Sequence, residues 1–120
     1  MRIRKNLPQT VVETSSYLKQ AESCMNEDSR EKFIDHIARN PAEGDLIQGT
    51  GGARKIRWTS NAKQGKRGGS RVIYYYYDET IPIFLFSTYG KNQKETLTDD
   101  DKKELRKITK QIVEAYRGGK

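Results

Sequence analysis

Two neighbouring β-prone runs constrain the fold of this chain more than any other feature. Residues 70–77 read SRVIYYYY and residues 81–89 read IPIFLFSTY, with Asp78, Glu79 and Thr80 between them. β-branched and aromatic runs on either side of a short polar turn predict a β-hairpin. The second run is apolar at successive positions, so both of its faces need cover. The sequence therefore predicts a sheet with helices packed against it.

A third strand is predicted just before this hairpin. Residues 54–59 alternate, with Ile56 and Trp58 toward the core and Lys55 and Arg57 on the exposed face. The preceding GTGG at 49–52 lacks both GxGxxG spacing and a GK[ST] ending, so we reject a nucleotide-binding loop. Its glycines are expected to adopt positive φ at a strand entry. These strands form an antiparallel meander, to which residues 10–13 could add an edge strand.

Apolar spacing predicts three helices around the sheet. Positions 17, 18, 21, 24 and 25 predict a helix over 15–25. A second helix begins at Asn26 or Asp28 and ends at Asn40-Pro41, and the two form a hairpin. Thr98 caps the last helix, in which Tyr116 continues an apolar stripe from Leu105. The predicted fold is α+β, a single domain over residues 1–120, with a three- to four-stranded antiparallel sheet, an N-terminal helical hairpin and a C-terminal helix.

Positive charge is concentrated in one segment of the chain. The formal net charge is +7, and the nine Lys/Arg and two acidic residues between Thr50 and Lys94 account for all of it. The remainder is neutral. A neutral chain with one basic segment is typical of a polyanion binder, although a generally basic, solvated surface is the alternative.

Several classes of site are excluded by composition. Cys24 and His36 are each the only residue of their type, so neither an intramolecular disulfide nor a two-histidine metal site can form. The three aspartates at 99–101 are explained by the start of a helix. We expect no metal and no cofactor. No apolar run approaches the ~20 residues that span a membrane, and the N-terminus lacks the apolar core of a signal peptide. The expected location is the cytoplasm.

Lys, Arg and Tyr are the reactive residue types in the basic segment, and they suit metal-free cleavage of RNA. In that reaction the 2′-OH attacks the adjacent phosphate, and the pentacovalent intermediate gains negative charge that arginines can hold bidentately. A lysine crowded by cations has a lowered pKa and can transfer protons near neutrality. Tyrosine can stack on a base or move a proton. The composition favours nucleic-acid binding more strongly than it favours catalysis.

The motifs GDLIQGTGGARKIRW, GKRGGSRVIYYYY and FLFSTYGKN resemble the RelE/ParE superfamily of bacterial type II toxins over about residues 40–117. GTGG and GKRGGxR are most similar to the HigB-like branch. The resemblance implies a RelE-like fold and a ribosome-dependent endoribonuclease that cuts mRNA in the ribosomal A site and halts translation. It also implies a cognate antitoxin, usually of helix-turn-helix type, as a partner besides the 70S ribosome and mRNA. Operator DNA would be reached only through that antitoxin.

The resemblance also implies site residues. Arg71, in GGSR, matches the strand arginine that the superfamily is thought to place on the scissile phosphate. Asn92 stands where some relatives have a second arginine, which shifts weight to Arg57 or Arg67. Tyr89 is preferred as a catalytic tyrosine because Tyr116 is expected to be buried. The predicted catalytic set is Arg57, Lys66, Arg67, Arg71, Tyr89 and Lys91, and the predicted RNA-binding set is Arg54, Lys55, Lys63, Asn92 and Lys94.

Two other functions remain open from the sequence. The ParE branch shares this fold but inhibits DNA gyrase without being an enzyme. A ribosome- or RNA-binding module without catalysis would show the same charge pattern. The density of Lys and Arg on the sheet favours an RNA target over a protein target.

Overall fold

The computed structural model describes residues 8–59, 69–90 and 97–118. They form a sheet with a helical hairpin on one face and a long helix on the other. In chain order the elements are β1 (Val11–Glu13), α1 (Ser15–Cys24), α2 (Glu27–Arg39), β2 (Asp45–Leu46), β3 (Ala53–Trp58), β4 (Ser70–Tyr75), β5 (Ile83–Gly90) and α3 (Asp99–Arg117).

The predicted antiparallel meander is present as β3, β4 and β5, at the centre of a five-stranded sheet ordered β1-β5-β4-β3-β2. β1 confirms the predicted edge strand, but it runs parallel to β5. The sheet is therefore mixed and has one strand more than the sequence predicted. β2 is only two exposed residues long, so it carries no periodic signal. A register irregularity between Ile73 and Tyr74 bends the β4–β5 pair.

One face of the sheet, which we call the hairpin face, is buried by α1 and α2. Thr14 caps α1 by accepting a hydrogen bond from the Tyr17 N–H, and Asn26, rather than Asp28, caps α2 in the same way. Both helices end where the sequence predicted. Their apolar sides meet the sheet in the main core, which is formed by Tyr17, Ala21, Phe33, Ile37, Ile56, Val72, Tyr74, Ile83 and Leu85.

The opposite face, the α3 face, is covered less completely. α3 begins with a capping box in which Thr98 and Asp101 bond each other's backbone N–H groups. Thr109 is its only buried residue among those described. Tyr116 is 52% exposed, so the prediction that it is buried was wrong. The Tyr116 ring lies at a steep angle to that of Phe84 on β5, with the two ring centroids 6.2 Å apart.

A glycine turn before β3 attaches α3 to the sheet. Gly51 and Gly52 have φ of 79° and 115°, as the sequence predicted for this turn. A Cβ on Gly51 would lie 2.5 Å from Thr109 Oγ1. Arg106 and Thr109 donate hydrogen bonds to backbone carbonyls of this turn. None of the helices in the described ranges is long and apolar enough to cross a membrane.

Candidate active site

Three of the predicted catalytic residues lie in one row across the sheet. Arg57 on β3 is directly opposite Arg71 on β4, and Arg71 is directly opposite Tyr89 on β5. Residues in register across antiparallel strands project from the same face, with Cβ atoms about 5 Å apart. We call these residues the arginine row. The strand pairing therefore brings together positions that are up to 32 residues apart in the chain.

The arginine row lies on the α3 face, next to the apolar part of that face. Ala53, Ile73 and Tyr89 form a second buried cluster, and Leu105 of α3 packs against it. Along the strands, Ile73 is two residues from Arg71 and Ala53 is four residues from Arg57. Tyr89, which is 8% exposed, is the member that the cluster and the row share. Packing therefore holds Tyr89 in place on β5, directly across from Arg71 on β4.

Arg71 is the most unusual residue of the row. Its side chain is half-buried, and its Nη1 atom is buried without a hydrogen-bond partner within the described ranges. Its backbone is held in place because the Thr88 hydroxyl donates to the Arg71 carbonyl at 2.8 Å. A buried guanidinium N–H without a partner is unfavourable, and an anion would satisfy it. Thr88 was not predicted from the sequence.

Two like charges face each other where Arg57 meets Arg71. Such directly opposed pairs destabilise a sheet. Arg57 is exposed, and Lys55 is exposed on the same face one row further along, opposite Ile73. These three cations create a local positive field whose repulsion a bound phosphate would relieve. The arrangement is suited to holding an anion rather than to stabilising the fold.

Arg54, predicted to bind RNA, points to the hairpin face instead. It is opposite Tyr74, which is part of the main core. Its Nη1 atom donates to the carbonyls of Ala42 and Gly44 at 3.0 and 2.7 Å. Its contacts tie the α2–β2 connection to the sheet, so it is not carried into the proposed site. The remaining predicted residues, Lys63, Lys66, Arg67, Lys91, Asn92 and Lys94, lie outside the described residues.

The other titratable candidates, His36 and Cys24, are not part of the arginine row. His36 was predicted to be solvated, and it is half-exposed with its Nε2 atom 2.6 Å from Glu43 Oε1 and its ring beside Trp58. Burial raises the pKa of the Cys24 thiol. Across residues 8–59, 69–90 and 97–118, no three His, Cys, Asp or Glu side chains converge as a metal site.

Comparison with known proteins identifies the class to which this fold and site belong. Residues 10–118 match the family model described as the RelE toxin of the RelE/RelB toxin-antitoxin system, and the chain belongs to that family. Its members are toxins that have an antitoxin partner. Among solved structures, the chain is similar to an arginine-substituted mutant of the E. coli toxin RelE in the free state, with a TM-score of 0.51 and 20% identity. That match covers 72% of this chain and 86% of the E. coli chain, and it confirms the RelE-like fold.

Proposed function

We propose that this toxin is a ribosome-dependent endoribonuclease of the HigB-like branch, which cuts mRNA in the ribosomal A site without a metal or cofactor. The observation that carries the proposal is the arginine row, in which the Arg71 Nη1 atom is buried without a partner and Arg57 stands directly opposite. Membership of a toxin family supplies the biological setting. The toxin would act in the cytoplasm, where its substrate is translated.

In the proposed reaction the row binds the scissile phosphate. The 2′-oxygen of the preceding ribose attacks phosphorus and loses its proton, while the bond to the 5′-oxygen breaks and that oxygen gains a proton. The products are a 2′,3′-cyclic phosphate and a 5′-hydroxyl. Arg71 and Arg57 stabilise the added negative charge of the pentacovalent intermediate. Lys55 and Tyr89 are the nearest candidates in the described part of the chain for proton transfer.

Dependence on the ribosome follows from the weakness of these groups as general bases. The row contains neither histidine nor carboxylate, so orientation of the 2′-OH has to supply more of the rate enhancement. A decoding ribosome holds the mRNA extended and would provide that orientation. The proposed partners are therefore the 70S ribosome with its mRNA, and a helix-turn-helix antitoxin through which alone the toxin would reach operator DNA.

The proposal is tested by adding the purified protein to a translation reaction and mapping the 5′ ends of a defined mRNA. Breaks are expected at the codon in the A site, only with ribosomes present. Arg71→Ala should reduce their rate by about 10²–10³-fold. Arg39→Ala is the matched control, because it removes an equal charge from the exposed surface of α2. It should leave cleavage unchanged.

Other results would contradict the proposal in distinct ways. Inhibited translation with intact mRNA would indicate a ribosome-binding module without catalysis. Unaffected translation together with inhibited DNA supercoiling would indicate a gyrase-directed toxin. Equal loss of cleavage in Arg71→Ala and Arg39→Ala would mean that total charge, rather than the arginine row, determines activity.

A further inference from the structure

A groove on the α3 face lies immediately beside the arginine row. It has a volume of about 420 Å³ and lies between the first turns of α1, the second half of β5 and α3. Its floor is apolar and includes Ile73, Phe86, Leu105 and Ile108. The groove exists because β1 pairs with β5 only as far as Leu85, which leaves the later residues of β5 at the sheet edge.

The groove is close enough to the row to receive part of the same ligand. Ile73 and Ser87 line the groove, and they are two residues from Arg71 and Tyr89 on the same strands and the same face. Two residues of a strand span about 7 Å. The base of a nucleotide whose phosphate contacts Arg71 can therefore extend into the groove. An apolar floor is suited to the face of a base.

Glu104 supplies a free hydrogen-bond acceptor at the groove. It is exposed on α3, and within the described ranges its carboxylate forms neither a hydrogen bond nor an ion pair. The neighbouring Asp101 is different, since its Oδ2 atom accepts the Thr98 N–H at 3.0 Å as part of the helix cap. A carboxylate repels phosphate, so Glu104 does not serve general affinity for RNA. It is suited to accepting N–H groups from a base edge.

Gln20 supplies a donor to the same groove. Its Oε1 atom accepts the backbone N–H of Thr88 at 3.0 Å, at the free edge of β5. This bond fixes the side-chain amide and leaves its NH₂ group available in the part of the chain that the structure describes. The groove therefore presents one oriented donor and one carboxylate acceptor above an apolar floor.

We propose that this groove binds a guanine base next to the scissile phosphate, with Glu104 and Gln20 as specificity-determining residues. Guanine has two adjacent donors, N1–H and the N2 amino group, which a single carboxylate accepts together, and it has O6 beside them as an acceptor for an amide. Adenine and cytosine have only one amino donor on that edge, next to an acceptor. Uracil has one N–H between two carbonyls. The inference rests on the proposed function, because it assigns base preference to that reaction.

The test compares cleavage of mRNAs that carry every codon in turn in the A site. We expect wild-type cuts to favour guanine at one fixed position relative to the break. Glu104→Gln should reduce the ratio of guanine to non-guanine cleavage by roughly tenfold. Glu114→Gln is the matched control, since it makes the same change on α3 about 15 Å further along the helix. Its ratio should equal that of the wild type.

A binding measurement separates failure of this inference from failure of the proposed reaction. GMP, AMP, CMP and UMP are titrated into the full chain and followed by NMR shifts of the Gln20 side-chain amide. GMP should bind more tightly than the other three, and Glu104→Gln should remove the difference. This result without any mRNA cleavage would support the base site and contradict the proposed reaction.

Other outcomes overturn the base site while leaving the nuclease intact. Cleavage without any preference for guanine would do so, as would a preference that Glu104→Gln leaves unchanged. If that variant instead weakened only the complex with the antitoxin, the groove would be a protein-docking surface.

Discussion

The two faces of the sheet differ in how completely they are buried and in what they carry. The hairpin face holds nine buried residues in one cluster, and Arg54, a cation that β3 places on this face, donates to backbone carbonyls. The α3 face holds a smaller cluster, a helix with one buried residue in the described ranges, and Arg71, whose Nη1 atom has no partner among the described residues. One face therefore provides most of the stability, while the other keeps polar groups available for a ligand.

The contrast is sharpest where the same strands serve both faces. On β4, Val72 and Tyr74 are fully buried under the hairpin, whereas Arg71 between Ser70 and Val72 projects the other way. An opposed arginine pair is tolerated because the hairpin face holds the strands in register independently. Because the hairpin face is the more completely buried of the two, stability and function can be assigned to separate faces of one sheet.

The largest effect on stability is expected from Phe33→Ala. Phe33 is fully buried and its ring meets Trp58 edge-on at 5.4 Å. Its truncation should lower the free energy of unfolding by about 3–5 kcal/mol in urea denaturation. Leu105→Ala, on the half-covered α3 face, should lose less than half as much. Equal losses would contradict the assignment of stability to the hairpin face.

Arg57→Ala should separate activity from stability. We expect the rate of mRNA cleavage to fall by about 10²-fold, because one of the two cations on the phosphate is lost. The free energy of unfolding should stay the same or rise slightly, since the repulsion with Arg71 disappears. Parallel cleavage assays and urea titrations measure both. A variant that lost activity only through unfolding would disprove the functional role of the row.

Two buried tyrosines give a matched test within the hairpin face. The Tyr74 hydroxyl donates to the Pro41 carbonyl and accepts the Gly44 N–H, both at 2.8 Å, whereas the Tyr17 hydroxyl is buried without a partner in the described ranges. Tyr74→Phe should cost about 1–3 kcal/mol because it leaves two backbone groups unsatisfied. Tyr17→Phe should be neutral or stabilising. Thermal unfolding of both variants measures the two changes in stability. A larger loss in Tyr17→Phe than in Tyr74→Phe would contradict these hydrogen bonds.

The smallest effect on stability is expected from Asp78, whose carboxylate lies beside Arg117 at the C-terminal end of α3. Hydrogen bonds from Thr80, and then the charge of Arg117, lower the pKa of Asp78. A carboxyl with a lowered folded-state pKa stabilises the protein above its ordinary pKa of about 4, and this contribution disappears as the pH falls through the lower value. Asp78→Asn should therefore lower Tm slightly at pH 7, and the difference should shrink as the pH falls below about 4.

Two further variants refine this test. Thr80→Val should reproduce more of the Asp78→Asn effect than Arg117→Ala does, because the hydrogen bonds from Thr80 are the larger cause of the lowered pKa. A Tm difference for Asp78→Asn that persisted unchanged at low pH would show that the carboxylate charge is not responsible.

Local signals in the sequence were sufficient for most of the fold. The side-chain periods of the helices and strands, the Asn40-Pro41 stop and the Thr98 cap placed the elements to within a few residues. The positive φ values at Gly49, Gly51 and Gly52 followed from glycine itself. These features depend on groups that are close in the chain, and a single sequence shows them directly.

From the positive charge and the family resemblance, the sequence also predicted Arg57, Arg71 and Tyr89 as catalytic residues. It could not show that they share one row, because their alignment depends on the register of three strands and on the irregularity at Ile73/Tyr74. It could not show that Arg54 donates to backbone carbonyls of the α2–β2 connection, and it was wrong about Tyr116, whose side chain is 52% exposed. In each case the deciding contact is with a residue distant in the chain.

The groove beside the arginine row was not predictable from any one segment. It requires β1 to end at Glu13, α1 to bring Gln20 to the free edge of β5, and α3 to place Glu104 opposite. By itself the sequence indicated the three helices, the strands other than the two-residue β2, and the segment where positive charge is concentrated. Only the tertiary structure decided which residues share the arginine row and which polar groups remain without a partner, because both depend on how separate elements pack together.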